Sequence, residues 1–157
     1  MAQPLVVEQS RAIPLAPGDL FAGLVPIPLP ELFRRWYGPI PPIKATRDQT
    51  GGWDAVGQSR TVLLTGGGSM REVLTSYDPP RSFGYTLSQV TGPLAALVDH
   101  VDGQWLLAPI GTGTNVTWRW TIHPRSAAAA PALPVFGRLW KGYARRSLAE
   151  LSNLLVR

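Results

Sequence analysis

The sequence predicts an α+β fold: a curved antiparallel β-sheet wrapped around a long C-terminal α-helix, with two short helices after the first strand. Short segments of alternating apolar and polar residues follow one another between residues 43 and 124, separated by turns that contain Gly or Pro. These connections are too short for parallel crossovers, so the strands should be antiparallel. Residues 134–157 instead repeat apolar side chains at three- and four-residue steps, which is typical of an amphipathic helix.

The first 40 residues predict one strand and two short helices. "VVEQSRAIPL" alternates as a first strand, and "DLFAGL" is a short helix with Asp19 as a plausible N-cap. Prolines at positions 26, 28 and 30 exclude a helix interior there. Pro30 suits the first turn of a second helix, "PELFRRWYG", which Gly38 would end.

Six further strand segments complete the predicted sheet: "IKATRDQ", "SRTVLLT", "SMREVLTSY", "SFGYTLSQV", "ALVDHVDGQWLLAPI" and "TNVTWRWTIHP". The turns between them include Gly66-Gly67-Gly68, Asp78-Pro79-Pro80-Arg81 and Gly111-Thr112-Gly113. The glycine clusters precede strands rather than helices, so they offer no helix N-terminus to a phosphate group. We interpret them, and the Asp-Pro-Pro-Arg stretch, as hairpin turns.

The final helix should place its apolar stripe against the sheet. That stripe consists of Phe136, Leu139, Trp140, Tyr143, Ser147, Leu151 and Leu154. Arg146 and Glu150 have the spacing of an i,i+4 ion pair. Gly137 and Gly142 interrupt the helix, which indicates either a bend or the close approach of a ligand or a strand.

Composition bounds the class of protein. At 157 residues, 45% apolar and 16% charged, the chain fits one globular domain over residues 1–157. Its net charge of +5 is scattered, so nucleic acid is not an expected partner. The absence of cysteine excludes disulfides, thiolate metal sites and a Cys nucleophile. Two histidines, His100 and His123, do not by themselves make a convincing metal site, and we expect neither metal nor cofactor.

Targeting features are also absent from the sequence. No signal peptide is visible, and the apolar stretch near residues 20–33 is too short, and too interrupted by proline, to cross a bilayer. We therefore expect a cytoplasmic protein without integral membrane association, either a monomer or a homodimer.

Three stretches resemble a known superfamily: "REVLTSYDPPRSFGYTL" at 71–87, residues 98–124, and "LWKGYARRSLAEL" at 139–151. They resemble the SRPBCC superfamily, which includes START domains and birch-pollen-allergen proteins, and in particular its polyketide cyclase/dehydrase and lipid-transport branch. The resemblance implies a helix-grip fold with a cavity between sheet and helix. It leaves function open, because the superfamily includes cyclases, hydrolases, hormone receptors and carriers.

Strand alternation selects the candidate ligand-binding residues. In "VTWRWTI", Val116, Trp118, Trp120 and Ile122 should face the helix, and Arg119 should face outward. Phe83, Tyr85 and Leu87 share a face of the preceding hairpin. The predicted ligand-binding set is Tyr85, Trp105, Trp118, Trp120, Phe136, Trp140 and Tyr143. The same indoles could equally fill the core.

Two residues are weak catalytic candidates, Glu72 and His100. Glu72 either faces the cavity, where desolvation would raise its pKa, or faces outward and pairs with an arginine such as Arg60; we favour the outward orientation. His100 shares a face with Asp102, whereas its strand neighbour Asp99 should point the other way. Gly103 indicates a bulge or turn there, and a solvated rim is the favoured interpretation.

Three functions remain open. The favoured one is binding, or transport, of a hydrophobic small molecule such as a lipid or polyketide, with the proline-rich lip at residues 25–42 gating the cavity. The alternative is an enzyme of the polyketide cyclase/dehydrase type, using an acid or base from His100, Glu72, Tyr85 or Arg71. The third is a peripheral membrane protein that uses the basic outer face of the final helix.

Overall fold

A computed structural model describes residues 3–156 and shows one seven-stranded antiparallel sheet. Its strands are β1 (Leu5–Ile13), β2 (Ile43–Arg47), β3 (Ser59–Leu64), β4 (Ser69–Asp78), β5 (Ser82–Thr91), β6 (Val98–Ile110) and β7 (Gly113–Pro124). They lie in the order β1-β7-β6-β5-β4-β3-β2, so the first strand joins the last and the others form a meander. The predicted fold class is confirmed.

The helices are α1 (Pro17–Leu24), α2 (Leu29–Leu32) and α3 (Leu133–Leu155), with 3₁₀ turns at Pro93–Ala96 and Ala130–Ala132. The prediction that Asp19 is the N-cap of α1 is wrong. Pro17 starts the helix, and Ala16 is the N-cap. Asp19 instead lies in the first turn, where its negative charge interacts favourably with the positive end of the helix dipole.

The second helix is shorter than predicted. It ends after Leu32 because Phe33 leaves the helical region, with φ −113° and ψ 64°, and its carbonyl accepts a hydrogen bond from Ile43 of β2. Gly38 therefore does not end the helix; it lies with φ 54° in a separate turn between Tyr37 and Ile40. The Phe33 side chain is buried and joins the core.

The long helix α3 packs across the concave face of the sheet and buries the predicted residues Trp140, Tyr143, Ser147 and Leu151. A Cβ atom at Gly137 would lie 2.9 Å from Leu5 Cδ2 and 3.1 Å from Val7 Cγ1 of β1, so this glycine allows the helix to lie close to the strand. Gly142 has a different neighbour, because the phenol of Tyr37 lies where its Cβ would be.

The predicted pair between Arg146 and Glu150 is wrong. Glu150 forms its ion pair with Arg34 of the lip, at 3.2 Å. Arg146 donates to the Trp36 carbonyl at 2.8 Å, and its guanidinium lies 5.0 Å from the centre of the Tyr37 ring. Both side chains therefore connect α3 to the segment after α2, rather than to each other.

The predicted faces of β7 are confirmed. Val116, Trp118, Trp120 and Ile122 are buried, and Arg119 faces outward, where it donates to Glu8 at 2.8 Å. At the end of the β4–β5 hairpin, Arg81 donates two hydrogen bonds to the Asp78 carboxylate, and this lowers the Asp78 pKa from its ordinary value. The exposed turn is thus satisfied by its own side chains, in agreement with its interpretation as a hairpin turn.

Candidate functional site

A cavity of about 390 Å³ lies between the concave face of the sheet, α3 and the segment around α2. This volume falls in the range of small-molecule sites, roughly 300–1,000 Å³. Its wall is formed mainly by aliphatic and aromatic side chains, with Arg60 and Glu72 as its charged members. Exposed and partly exposed lining residues of the segment around α2 and of the 3₁₀ turn after β5 mark its mouth, among them Val25, Ile27, Leu29, Trp36, Pro39, Ile40, Leu94 and Leu97.

The seven residues predicted to bind a ligand all lie on the wall of this cavity. They are Tyr85, Trp105, Trp118, Trp120, Phe136, Trp140 and Tyr143. Trp118 is central among them, since its ring stacks on Trp105 at 5.1 Å and contacts Trp140 at 4.9 Å between centroids. The structure places these side chains together on one wall; their contact with a ligand remains a prediction.

Tyr85 is held by two tryptophans at the inner end of the cavity. The indole N–H groups of Trp118 and Trp120 both donate to its phenol oxygen, at 2.8 and 2.9 Å. The phenol extends from β5 across β6 to β7, and Gly103 of β6 makes this possible, because a Cβ there would lie 2.6 Å from the Tyr85 oxygen. Burial raises the Tyr85 pKa, so the hydroxyl keeps its proton.

The prediction that Gly103 marks a bulge or turn is therefore wrong. It pairs in regular register with Tyr85 on one side and Trp120 on the other. The missing side chain leaves space for the Tyr85 ring, which is the close-approach use of a glycine in a strand.

Two further indoles have unpaired donors. The Nε1 atoms of Trp53 and Trp140 are buried and have no hydrogen-bond partner among residues 3–156. Trp140 packs directly on Trp118 and Trp120, with ring centroids 4.9 and 5.5 Å away. N–H and O–H donors consequently outnumber acceptors along this aromatic wall.

Glu72 faces the cavity, so the favoured outward orientation is wrong. It shares the inner face of β4 with the buried Met70 and Leu74, and its carboxylate accepts a hydrogen bond from Arg60 Nε at 2.7 Å. Arg60 is the directly opposite residue on β3, and its guanidinium lies 4.0 Å from the centre of the Trp53 ring. The predicted Arg60 partner is therefore present, but the pair is buried.

Burial affects the pKa of Glu72 more than Arg60 does. Desolvation raises its pKa above the ordinary value, and the charge and hydrogen bond of Arg60 only partly oppose this. A carboxyl group with a raised pKa on a cavity wall is a candidate acid or base. Glu72 is therefore the acid–base group that the cavity offers.

His100 lies outside the cavity wall, on the outer face of β6. Its Nδ1 is 2.8 Å from Asp99 Oδ2, so the expectation that Asp99 points away from it is wrong. A register shift between Val98 and His100 lets both neighbours face solvent. The hydrogen bond from His100 lowers the Asp99 pKa. Arg71, another candidate acid, is also on an outer face, where it donates to Thr61 and Ser59.

The two histidines are brought together on that outer face. His100 stacks on His123 with 3.9 Å between ring centroids, and His123 Nε2 is 3.1 Å from Asp102 Oδ2. One ligand atom from each of His100, His123 and Asp102 lies within 4.8 Å of the others, so the group could hold a metal ion. This pairing depends on the β6–β7 register, in which His100 lies opposite His123.

Sequence reasoning missed two parts of the cavity wall, Trp53 and Phe33. Trp53 is almost fully buried although it lies in the β2–β3 connection with φ 61°, and Phe33 stacks on Tyr143 with 5.8 Å between ring centroids. Trp53 is a large aromatic residue in a Gly-containing connection, whereas Phe33 was expected inside the second helix. Size alone does not identify such residues, since Trp36 in the segment after α2 is 51% exposed.

A family model described as "Polyketide cyclase / dehydrase and lipid transport" matches residues 4–156. The chain belongs to this family. The polyketide cyclase/dehydrase and lipid-transport assignment agrees with the resemblance inferred from the sequence and with the cavity between sheet and α3. No curated protein sequence matches the chain.

Solved structures support the fold of this family member. Major latex-like protein 151 from Panax ginseng has a TM-score of 0.71 and 12% identity, with 99% of both chains covered. A protein from Thermus thermophilus has a TM-score of 0.71, 15% identity and 97% coverage of both chains. Ara h 8.0201 has a TM-score of 0.66, 15% identity and 98% coverage of both.

None of the helices within residues 3–156 is long and apolar enough to cross a membrane.

Proposed function

We propose that this protein binds, and transports, a hydrophobic small molecule of the lipid or polyketide class in the cavity between the sheet and α3. The observation that carries this proposal is the cavity itself: about 390 Å³ of space lined almost wholly by apolar and aromatic side chains. A well-packed core leaves few voids larger than a water molecule, so an apolar space of this size is suited to a ligand. Membership of a family described by cyclisation and lipid transport supports the same class of ligand.

The direct test is native mass spectrometry of protein purified without detergent, followed by organic extraction. An adduct of a few hundred daltons that extracts into solvent supports the proposal and reveals the ligand class. Protein that shows only its own mass is then titrated with an environment-sensitive apolar dye. Failure to bind any apolar probe would refute the proposal.

A matched pair of variants separates cavity binding from surface adsorption. Leu97→Trp fills the cavity near its mouth, and Ile110→Trp makes a similar change at a residue that is 54% exposed at the end of β6. Binding should fall in the first variant and remain in the second. Equal binding by both would place the ligand outside the cavity.

A second candidate, a cyclase/dehydrase-type enzyme, is favoured by Glu72 specifically. Its carboxyl group lies on the cavity wall with a raised pKa, which suits proton transfer to or from a bound substrate. Glu72→Gln keeps the shape of the side chain and removes its acid–base function. Turnover of a polyketide-type substrate that is lost in this variant while binding is kept would support the enzyme; turnover that persists would exclude this role for Glu72.

We further propose that the protein is cytoplasmic. Its partner would be a hydrophobic small molecule, and it would neither bind nucleic acid nor insert into a membrane. The absence of cysteine supports this, because small secreted domains commonly rely on disulfides. Subcellular fractionation of the tagged protein tests the location.

A further inference from the structure

The hydroxyl group of Tyr85 has one unused hydrogen-bonding function. A phenol oxygen can accept hydrogen bonds and donate one. Trp118 and Trp120 supply the two bonds that Tyr85 accepts, and no residue within 3–156 accepts its hydroxyl hydrogen. The side chain is only 5% exposed and lines the cavity, so an acceptor for that hydrogen has to reach it from within the cavity.

The neighbouring polar groups do not supply the missing acceptor. Trp140, beside both tryptophans, adds a buried N–H group that, among the described residues, is also without a partner. The nearby carboxylate of Glu72 is engaged by Arg60 at 2.7 Å. Because buried polar groups in native proteins are generally hydrogen-bonded to protein or to water, the Tyr85 hydroxyl needs an acceptor inside the cavity, and a bound ligand can supply it in place of water.

We propose that the inner end of the cavity is a subsite for an uncharged carbonyl oxygen, of a ketone, ester or quinone, which accepts a hydrogen bond from the Tyr85 hydroxyl. This inference rests on the proposed ligand-binding function and narrows its ligand class. The two indoles fix the phenol oxygen, and Gly103 leaves space for the ring, so the donor is held in place before a ligand binds. Such preorganisation lowers the entropic cost of making the bond.

The charge of the site favours a neutral acceptor over a carboxylate. Arg60 and Glu72 form an ion pair whose charges cancel, and the guanidinium is further engaged by the face of Trp53. A ligand carboxylate would have to displace Glu72 from Arg60 or remain as a buried charge without a partner, and both are costly. A carbonyl requires neither.

Three small probes with one carbon skeleton test the subsite: 9-fluorenone, which has a carbonyl; fluorene, which lacks it; and fluorene-9-carboxylate. Affinities are measured by calorimetry, and the carbonyl stretching band of bound fluorenone is recorded by infrared spectroscopy. One satisfied hydrogen bond should make fluorenone bind roughly 2- to 13-fold more tightly than fluorene. Its carbonyl band should shift to lower wavenumber than in an apolar solvent.

Two phenol-to-phenyl variants identify the donor. Tyr85→Phe should abolish the preference for fluorenone and the infrared shift while fluorene still binds. Tyr77→Phe is the matched control, because Tyr77 is a partly buried tyrosine of the adjacent strand β4 that packs against the core and does not line the cavity. That variant should keep both properties.

The outcomes separate the subsite from the function on which it rests. Fluorene and fluorenone binding equally well would overturn the carbonyl subsite and leave ligand binding intact. The same holds if the preference persists in Tyr85→Phe, or if the carboxylate binds most tightly. If no probe binds to the wild type or to either variant, the proposed cavity function fails as well.

Discussion

Gly103 and Tyr85 are directly opposite each other on β6 and β5, and the phenol of Tyr85 occupies the space that a side chain at position 103 would need. Because Gly103 has no side chain, Tyr85 of β5 can extend across β6 to the tryptophans of β7. Strands β5 and β7 thereby form one hydrogen-bonded group at the inner end of the cavity, and β6 leaves the space for it.

Gly103→Ala should destabilise the protein by about 1–3 kcal/mol, because the added methyl group overlaps the Tyr85 ring within a packed wall. Tyr85 would have to move away from both indoles and lose their hydrogen bonds. Urea denaturation measures the change. The control is Gly18→Ala, since nothing lies within 4 Å of a Cβ at position 18.

A double-mutant cycle links that loss to the tyrosine. In a Tyr85→Leu background, Gly103→Ala should cost clearly less, because the ring that the methyl group meets is gone. The same cost in both backgrounds would contradict the explanation and assign the loss to the strand itself.

The buried ion pair of Arg60 and Glu72 should behave differently in single and double variants. Arg60→Met leaves a carboxyl group buried without its partner, and we expect a loss of about 3–5 kcal/mol in the free energy of unfolding. Arg60→Met combined with Glu72→Leu removes both charges and should recover most of the loss. A double variant less stable than the single one would contradict this account.

The sequence was sufficient to predict the fold because its signals are local. Alternation along β7 identified the buried tryptophans, and helical spacing placed Trp140 and Tyr143 on the inner face of α3. Each of these patterns arises within one element, where the period of the side chains decides which face is buried. The position of the cavity aromatics followed from these faces.

Glu72, by contrast, could not be assigned to a face from its own strand. Neither face of "SMREVLTSY" is wholly apolar, and the decision depends on Arg60, which lies opposite only because of the β3–β4 register. The pairing of His100 with His123 and the use of Gly103 by Tyr85 likewise depend on cross-strand contacts. Such pairings require knowledge of register, which local periodicity does not provide.

The raised pKa of Glu72 predicts that stability falls as pH rises. Since the folded state binds this proton more tightly than the unfolded chain, the stabilisation is fully present below the unfolded value, ordinarily 4.5, and is lost as pH rises through the folded value. The slope cannot exceed about 1.4 kcal/mol per pH unit for one group. Urea denaturation from pH 4 to 8 measures it.

Glu72→Gln supplies the reference curve. The difference in unfolding free energy between wild type and variant isolates this carboxyl from exposed groups such as Asp78 and Asp99, whose lowered pKa values act at lower pH. As pH rises, the unfolding free energy of the wild type should fall relative to that of the variant. A flat difference would show that burial and Arg60 balance each other at Glu72.

The lip at residues 25–42 should open more readily when its connection to α3 is removed. Arg146 donates to the Trp36 carbonyl at 2.8 Å and lies over the Tyr37 ring, whose phenol packs on Gly142. Arg146→Ala removes the hydrogen bond and the cation–π contact, and we expect hydrogen exchange in the lip to increase roughly two- to fivefold.

Arg145→Ala is the matched control, because Arg145 is the exposed neighbour on α3 and should leave lip exchange unchanged. If the lip gates the cavity, the dissociation rate of bound fluorene should rise in Arg146→Ala by a similar factor. Faster exchange with an unchanged dissociation rate would show that the lip is held by Arg146 but that the ligand leaves by another route. Unchanged exchange would show that Tyr37 and Gly142 hold the lip without help from the arginine.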